Sequence, residues 1–146
     1  MPLKVLTIDD DTSLTALLAM LLRSQGFEVI TANNGPDGIE ATKRESPDIV
    51  ILDLLMPEVD GWAACQSLRT FTDIPIIVLS AIDNPGSVGS ALDAGADDYL
   101  IKPVPNGVLI AHINNLTRRA IAQRDSRPIG RQTDSVTAQN TWAPGD

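Results

Sequence analysis

The sequence has one cysteine, one histidine, few basic residues and no long apolar run, and each shortage removes a class of protein. A lone Cys65 can form neither an internal disulfide nor a cysteine-cluster zinc site, and its setting reads as a small core residue on a helix. No stretch is long enough to cross a bilayer, and the Met-Pro-Leu-Lys start carries no apolar h-region. A cytoplasmic protein with no membrane partner is therefore expected. The formal net charge is −8, with nine basic and sixteen acidic residues over 1–124 and two basic and three acidic over 125–146. An acidic body matches a phosphate backbone poorly, so direct nucleic-acid binding is not expected. A glycine-rich phosphate loop is missing after the first apolar strand, where Asp9-Asp10-Asp11-Thr12-Ser13 stands instead, which argues against a nucleotide cradle. There is no internal repeat.

What is present is an alternation. The 146 residues, 43% of them hydrophobic, suffice for one domain and a sizeable core. Five short apolar strands are predicted, over Lys4 to Ile8, Glu28 to Ala32, Ile49 to Asp53, Ile76 to Ser80 and up to Ile101. Between and after them lie helices. Leu14, Leu17, Leu18, Leu21 and Leu22 recur at helical spacing and predict one buried stripe, with Gly26 as the stop. Asn34-Gly35-Pro36 opens a second helix to about Glu45, and after a loop that holds Met56-Pro57 and Asp60-Gly61 a third carries Trp62, Cys65 and Leu68, Trp62 as core or helix-edge packing. Pro85, Gly86 and Gly89 weaken the helix expected between Asp83 and Ala94, which should be short or mobile. The last helix, from about Pro105, should bury Leu109, Ile113 and Leu116. Strands alternating with helices at this spacing imply right-handed crossovers and a parallel sheet covered on both faces, a five-stranded doubly wound α/β/α sandwich with five helices. Residues 1–124 form that domain. Residues 125–146, polar with few large apolar side chains, read as a flexible tail or the start of a linker.

The strand ends carry the chemistry. Ligands of open parallel sheets collect beyond the carboxyl ends of the strands. The first strand delivers Asp9 and Asp10 there, the third Asp53, the fourth Ser80 and the fifth Lys102. Several carboxylates converging at one edge force protonation or demand a cation. An all-oxygen donor set with few protein ligands suits Mg²⁺, and Mn²⁺ less selectively.

With Asp9-Asp10, Asp53 followed by Met56-Pro57, Ser80-Ala81, Gly95-Ala96-Asp97-Asp98-Tyr99 and Lys102-Pro103 in this order, the chain closely resembles the receiver domain of two-component response regulators, the CheY-like superfamily. The resemblance covers roughly residues 3 to 123 and implies the flavodoxin-like strand order 2-1-3-4-5. It implies that Asp53 is a phosphoacceptor served by a histidine kinase or phosphotransfer protein. Asp9, Asp10, Asp53 and the backbone carbonyl of Leu55 would hold Mg²⁺. Ser80 and Lys102 would contact the phosphoryl oxygens, while Ser80 and Tyr99 would switch the surface formed by the fourth helix, fifth strand and fifth helix. Tyr99 would do so by turning inward from an exposed rotamer. Such a protein is not a conventional enzyme, although it catalyses its own phosphorylation and dephosphorylation. Its other partner would be an output domain or target protein.

A haloacid-dehalogenase-like phosphatase is the alternative, because Asp9-Asp10-Asp11-Thr12-Ser13 fits that family's Asp-x-Asp-x-Thr/Ser pattern with Asp9 as nucleophile. It leaves Asp53 and Met56-Pro57 unexplained. The chain also departs from winged-helix regulators: their charged residues are missing from the fourth helix, and His112 stands where an arginine is usual. Any homodimer is therefore expected to be weak or activation-dependent. His112 itself has a plain reading, a partly exposed helix residue without a task.

Overall fold

The computed structural model describes residues 2–54 and 61–125. Met56-Pro57, the Leu55 carbonyl and the polar stretch 126–146 lie outside the described residues. Among those described, every predicted element is present in the predicted order. Five strands, β1 (Lys4–Ile8), β2 (Glu28–Ala32), β3 (Ile49–Leu52), β4 (Ile76–Ser80) and β5 (Asp98–Ile101), alternate with α1 (Thr12–Ser24), α2 (Gly35–Glu45), α3 (Gly61–Arg69), α4 (Pro85–Asp93) and α5 (Asn106–Asp125). All strand pairs are parallel and the sheet order is β2-β1-β3-β4-β5.

The helix starts follow from local chemistry. Asp11 accepts the Leu14 backbone N–H, Asn34 that of Asp37 and Asn84 that of Ser87, each satisfying one orphan donor of a first turn. Pro36 and Pro85 stand in the first turns of α2 and α4, as the second and the first helical residue, where a missing N–H costs nothing. That cap, that proline and the buried Ala91 offset the glycines enough to form α4, which is short as expected at nine residues. A Cβ added at Gly89 would meet nothing within 4 Å. Gly89→Ala is therefore expected to stabilise the domain by about 1 kcal/mol, read as a higher thermal midpoint.

Side chains that alternate along the strands divide the core in two. Leu6, Ile8, Val50, Leu52, Ile76 and Val78 pack under α2, α3 and α4, with Cys65 fully buried and Trp62 half-buried against the same cluster. Burial pushes the Cys65 thiol up from its usual range, so it is a core residue and not a reactive one. Val5, Ile49, Ile51 and Ile77 face α1 and α5 on the other side, with Leu109, Ile113 and Leu116 buried as the α5 spacing predicts.

Three findings depart from the sequence reading. The leucine stripe of α1 is only partly covered: Leu22 is buried with Thr15 and Ala19, Leu14, Leu18 and Leu21 are half-buried, and Leu17 is 62% exposed. A helical period fixes which side chains share a face, not how far a neighbour covers that face. Gly61 is the first residue of α3, not loop. His112 has a task, since its Nδ1 pairs with Asp98 and ties α5 to the start of β5.

An unforeseen tie crosses the far edge of the sheet. The Arg69 guanidinium donates from Nε to the Gly95 carbonyl at 2.9 Å, from Nη1 to the Ile74 carbonyl at 2.7 Å and from Nη2 to Asp97 at 2.6 Å. The same Asp97 oxygen accepts the Ile76 N–H, so one fork joins α3, β4 and the turn into β5.

Candidate functional site

Backbone hydrogen bonds first align the strand ends. Asp9 N–H donates to the Ala32 carbonyl, Asp53 N–H to that of Ile8, and Lys102 N–H to that of Ser80. The ladders thus continue one residue past the strands, and the side chains that follow open at one edge. One carboxylate oxygen from each of Asp9, Asp10 and Asp53 lies within 4.8 Å of the others. Lys102 Nζ stands 3.2 Å from Asp9 Oδ2 and 3.6 Å from Asp53 Oδ2. Asp53 is buried, Asp9 half-buried and Asp10 exposed, a gradient that leaves the Asp53 carboxylate shielded while one side of the cluster meets solvent.

Neighbouring groups hold the acidic turn. The Asp9 carboxylate accepts the Asp11 N–H, and Asn33 Nδ2 donates to the Asp9 carbonyl at 2.9 Å. Thr15 Oγ1 donates to the Asp11 carbonyl at 2.7 Å. Asp11 itself caps α1 and is not in the three-carboxylate cluster, in line with a helix-start role. The sequence reading missed Asn33 and Thr15; nothing marks them locally, since their partners are backbone groups set by the fold.

Ser80 is fully buried, and its Oγ accepts the Ile82 N–H at 3.2 Å. The Tyr99 hydroxyl donates to the Ile82 carbonyl at 2.6 Å, and its ring packs against the α2–α4 side of the core. Tyr99 is thus turned inward, not in the exposed rotamer expected of the resting state. Ile82 links it to Ser80 through one peptide residue.

Three carboxylates, one ammonium and one hydroxyl thus stand at the carboxyl ends of β1, β3, β4 and β5. The family model of the response regulator receiver domain matches residues 5–114. The chain belongs to that family. Among curated relatives, this receiver is 42% identical over 118 residues to the response regulator MprA of Mycobacterium leprae, covering 80% of this chain and 52% of that protein. It is 41% identical over 115 residues to the transcriptional regulatory protein AfsQ1 of Streptomyces coelicolor, covering 79% and 51%. The receiver chain thus spans about half the length of the curated relatives it matches. Among solved structures, the beryllofluoride-activated N-terminal receiver domain of RstA from Klebsiella pneumoniae matches with a TM-score of 0.76 at 32% identity, covering 79% of this chain and 98% of that one. A two-component response regulator from Clostridium difficile matches at 0.78 and 31%, covering 81% and 98%. Among the described residues, no helix of the receiver is long and apolar enough to cross a membrane.

Proposed function

We propose that this receiver accepts a phosphoryl group on Asp53 from a histidine kinase or phosphotransfer protein, and that the change at Asp53 alters the α4, β5 and α5 surface. The observation that carries the reading is the buried Asp53 carboxylate held 3.6 Å from Lys102 beside two further aspartates. The clustered all-oxygen donors fit Mg²⁺, held by Asp9, Asp10 and Asp53 with the Leu55 carbonyl as the resemblance implies. Mg²⁺ bound there neutralises charge on the acceptor and on the incoming group.

The side chains do the rest. Asp53 is a weak nucleophile that works by position: its oxygen forms the new O–P bond as the P–N bond to the donor's imidazole breaks. Lys102, a compact charge on a flexible stem, already lies between Asp9 and Asp53 and can follow a phosphoryl oxygen. The phosphoryl group carries roughly 1.5 to 2 negative charges in place of the single charge of the carboxylate, and spreads them over three oxygens further out. Ser80 Oγ accepts the Ile82 N–H, which leaves its own proton to donate, so it turns toward that charge and draws the Ile82 peptide with it. Tyr99, hydrogen-bonded to the Ile82 carbonyl, transmits the shift to β5. Leu92 on α4, Ile101 on β5 and Val108 on α5 are exposed apolar side chains that a partner or output domain would read there. Water attack at phosphorus then breaks the O–P bond, releases inorganic phosphate and returns Asp53 to its free carboxylate.

Incubation with Mg²⁺ and acetyl phosphate, followed by mass spectrometry, tests the reading: one acid-labile phosphoryl group on Asp53 is expected, and labelling of Asp9 would favour a phosphatase. The metal has its own test. Mg²⁺ at a hundredfold above its Kd should stabilise the fold by about 2.7 kcal/mol, read as a raised thermal midpoint. Asp10→Asn should remove most of that rise, while Asp11→Asn, an equally good cap, should keep Mg²⁺ affinity within about threefold.

A further inference from the structure

Leu17 and Met20 are the most exposed large apolar side chains among the described residues, at 62% and 67%. They lie on one wall of an open cavity of about 600 Å³ between α1 and the stretch that joins β5 to α5. Leu14 and Leu18 continue that wall, Val104 and Leu109 form the opposite one, and Asp9, Asp53 and Lys102 close one end. Thr7 belongs to the floor. Its Oγ1 is buried and has no hydrogen-bond partner among the described residues.

We propose that this cavity binds an uncharged, largely apolar small molecule carrying one hydrogen-bonding group. The volume falls in the range of small-molecule sites, and so does the lining, apolar with a few polar groups at one end. Water held between leucine walls makes few hydrogen bonds, so its release favours an apolar occupant. Folded proteins rarely leave a buried hydroxyl unpaired, and a ligand donor or acceptor reaching Thr7 by a turn of its χ1 would pair it. Charge narrows the class further. Two carboxylates against one ammonium give the closed end a net negative charge that repels anionic head groups. The proposal does not rest on Asp53 accepting a phosphoryl group, because binding is read on the unphosphorylated chain.

The probe is N-phenyl-1-naphthylamine, uncharged with one N–H, titrated into the full chain in EDTA and followed by its fluorescence. Its counterpart is 8-anilinonaphthalene-1-sulfonate, the same aromatic body with an anionic group. A saturable one-to-one rise is expected, at least about tenfold tighter for the uncharged probe. Thr7→Val, which keeps the shape and removes the hydroxyl, should weaken it about three- to tenfold. Leu17→Trp, an exposed change that fills the cavity, should weaken it about tenfold or more, with circular dichroism unchanged in both variants. Absence of saturable binding, equal affinity for the sulfonate, or binding indifferent to both variants would overturn the proposal. So would a concentration-dependent dimer in sedimentation equilibrium that Leu17→Glu disperses, since the occupant of the wall would then be a second copy.

Discussion

Asp53→Asn is expected to reduce acetyl phosphate labelling to background while leaving the fold intact. The amide cannot form the acyl phosphate, and no other carboxylate of the cluster shares its setting: Asp53 is the buried member, whereas Asp10 is exposed and Asp9 spends one oxygen on the Asp11 N–H. Stability should not fall, because the backbone N–H of residue 53 keeps its bond to the Ile8 carbonyl and Lys102 keeps Asp9 at 3.2 Å. Removing one of three mutually repelling carboxylates offsets the loss of the longer ion pair. Mass spectrometry measures the labelling, and a thermal melt without Mg²⁺ measures the fold. Persistent labelling at wild-type rate would remove Asp53 from the acceptor role.

Gly61→Ala is expected to damage both the fold and the site. A Cβ at residue 61 would stand 2.4 Å from the Leu54 Cα, 2.9 Å from the Leu54 carbonyl oxygen and 3.0 Å from that of Asp53. These are backbone atoms and cannot rotate away, so α3 must move off the end of β3 or the residues after β3 must shift. Overpacking of this kind costs about 1–3 kcal/mol, which in a domain of this size lowers the thermal midpoint by roughly 4–20 °C. The displaced chain is the one that aims Asp53, so phosphoryl labelling should drop as well, even at temperatures where the variant remains folded. A wild-type midpoint would show that this approach is not required. Gly95 differs from Gly61, since its φ of +119° already favours glycine whatever the space.

Within the site, residue type and strand position decided what could be read in advance. Asp9, Asp10, Asp53, Ser80 and Lys102 each follow or end an apolar strand, and parallel pairing brings all strand ends of one sense to one edge, so their convergence needs no tertiary detail. Asn33 and Thr15 escaped notice because they act on the carbonyls of Asp9 and Asp11, groups that every residue carries. The Arg69 tie escaped for the same reason: two of its acceptors are the Gly95 and Ile74 carbonyls, and Asp97 lies 28 residues away.

The sequence by itself determined the elements and, the start of α3 at Gly61 apart, where they begin and end to within a residue or so. β-Branched runs with turn residues between them fix strands, and caps such as Asp11, Asn34 and Asn84 act within three residues of themselves, so short-range chemistry sufficed. The tertiary structure alone decided how much of each face is covered. Leu14, Leu17, Leu18, Leu21 and Leu22 share the spacing of one stripe, yet they range from buried Leu22 to 62% exposed Leu17. Periodicity orients side chains about their own helix axis, whereas burial depends on the distance and angle of the next element, here the approach of the β5–α5 stretch to α1. His112 and Tyr99 were decided in the same way: each partner, Asp98 or the Ile82 carbonyl, reaches it only after β5 has paired with β4.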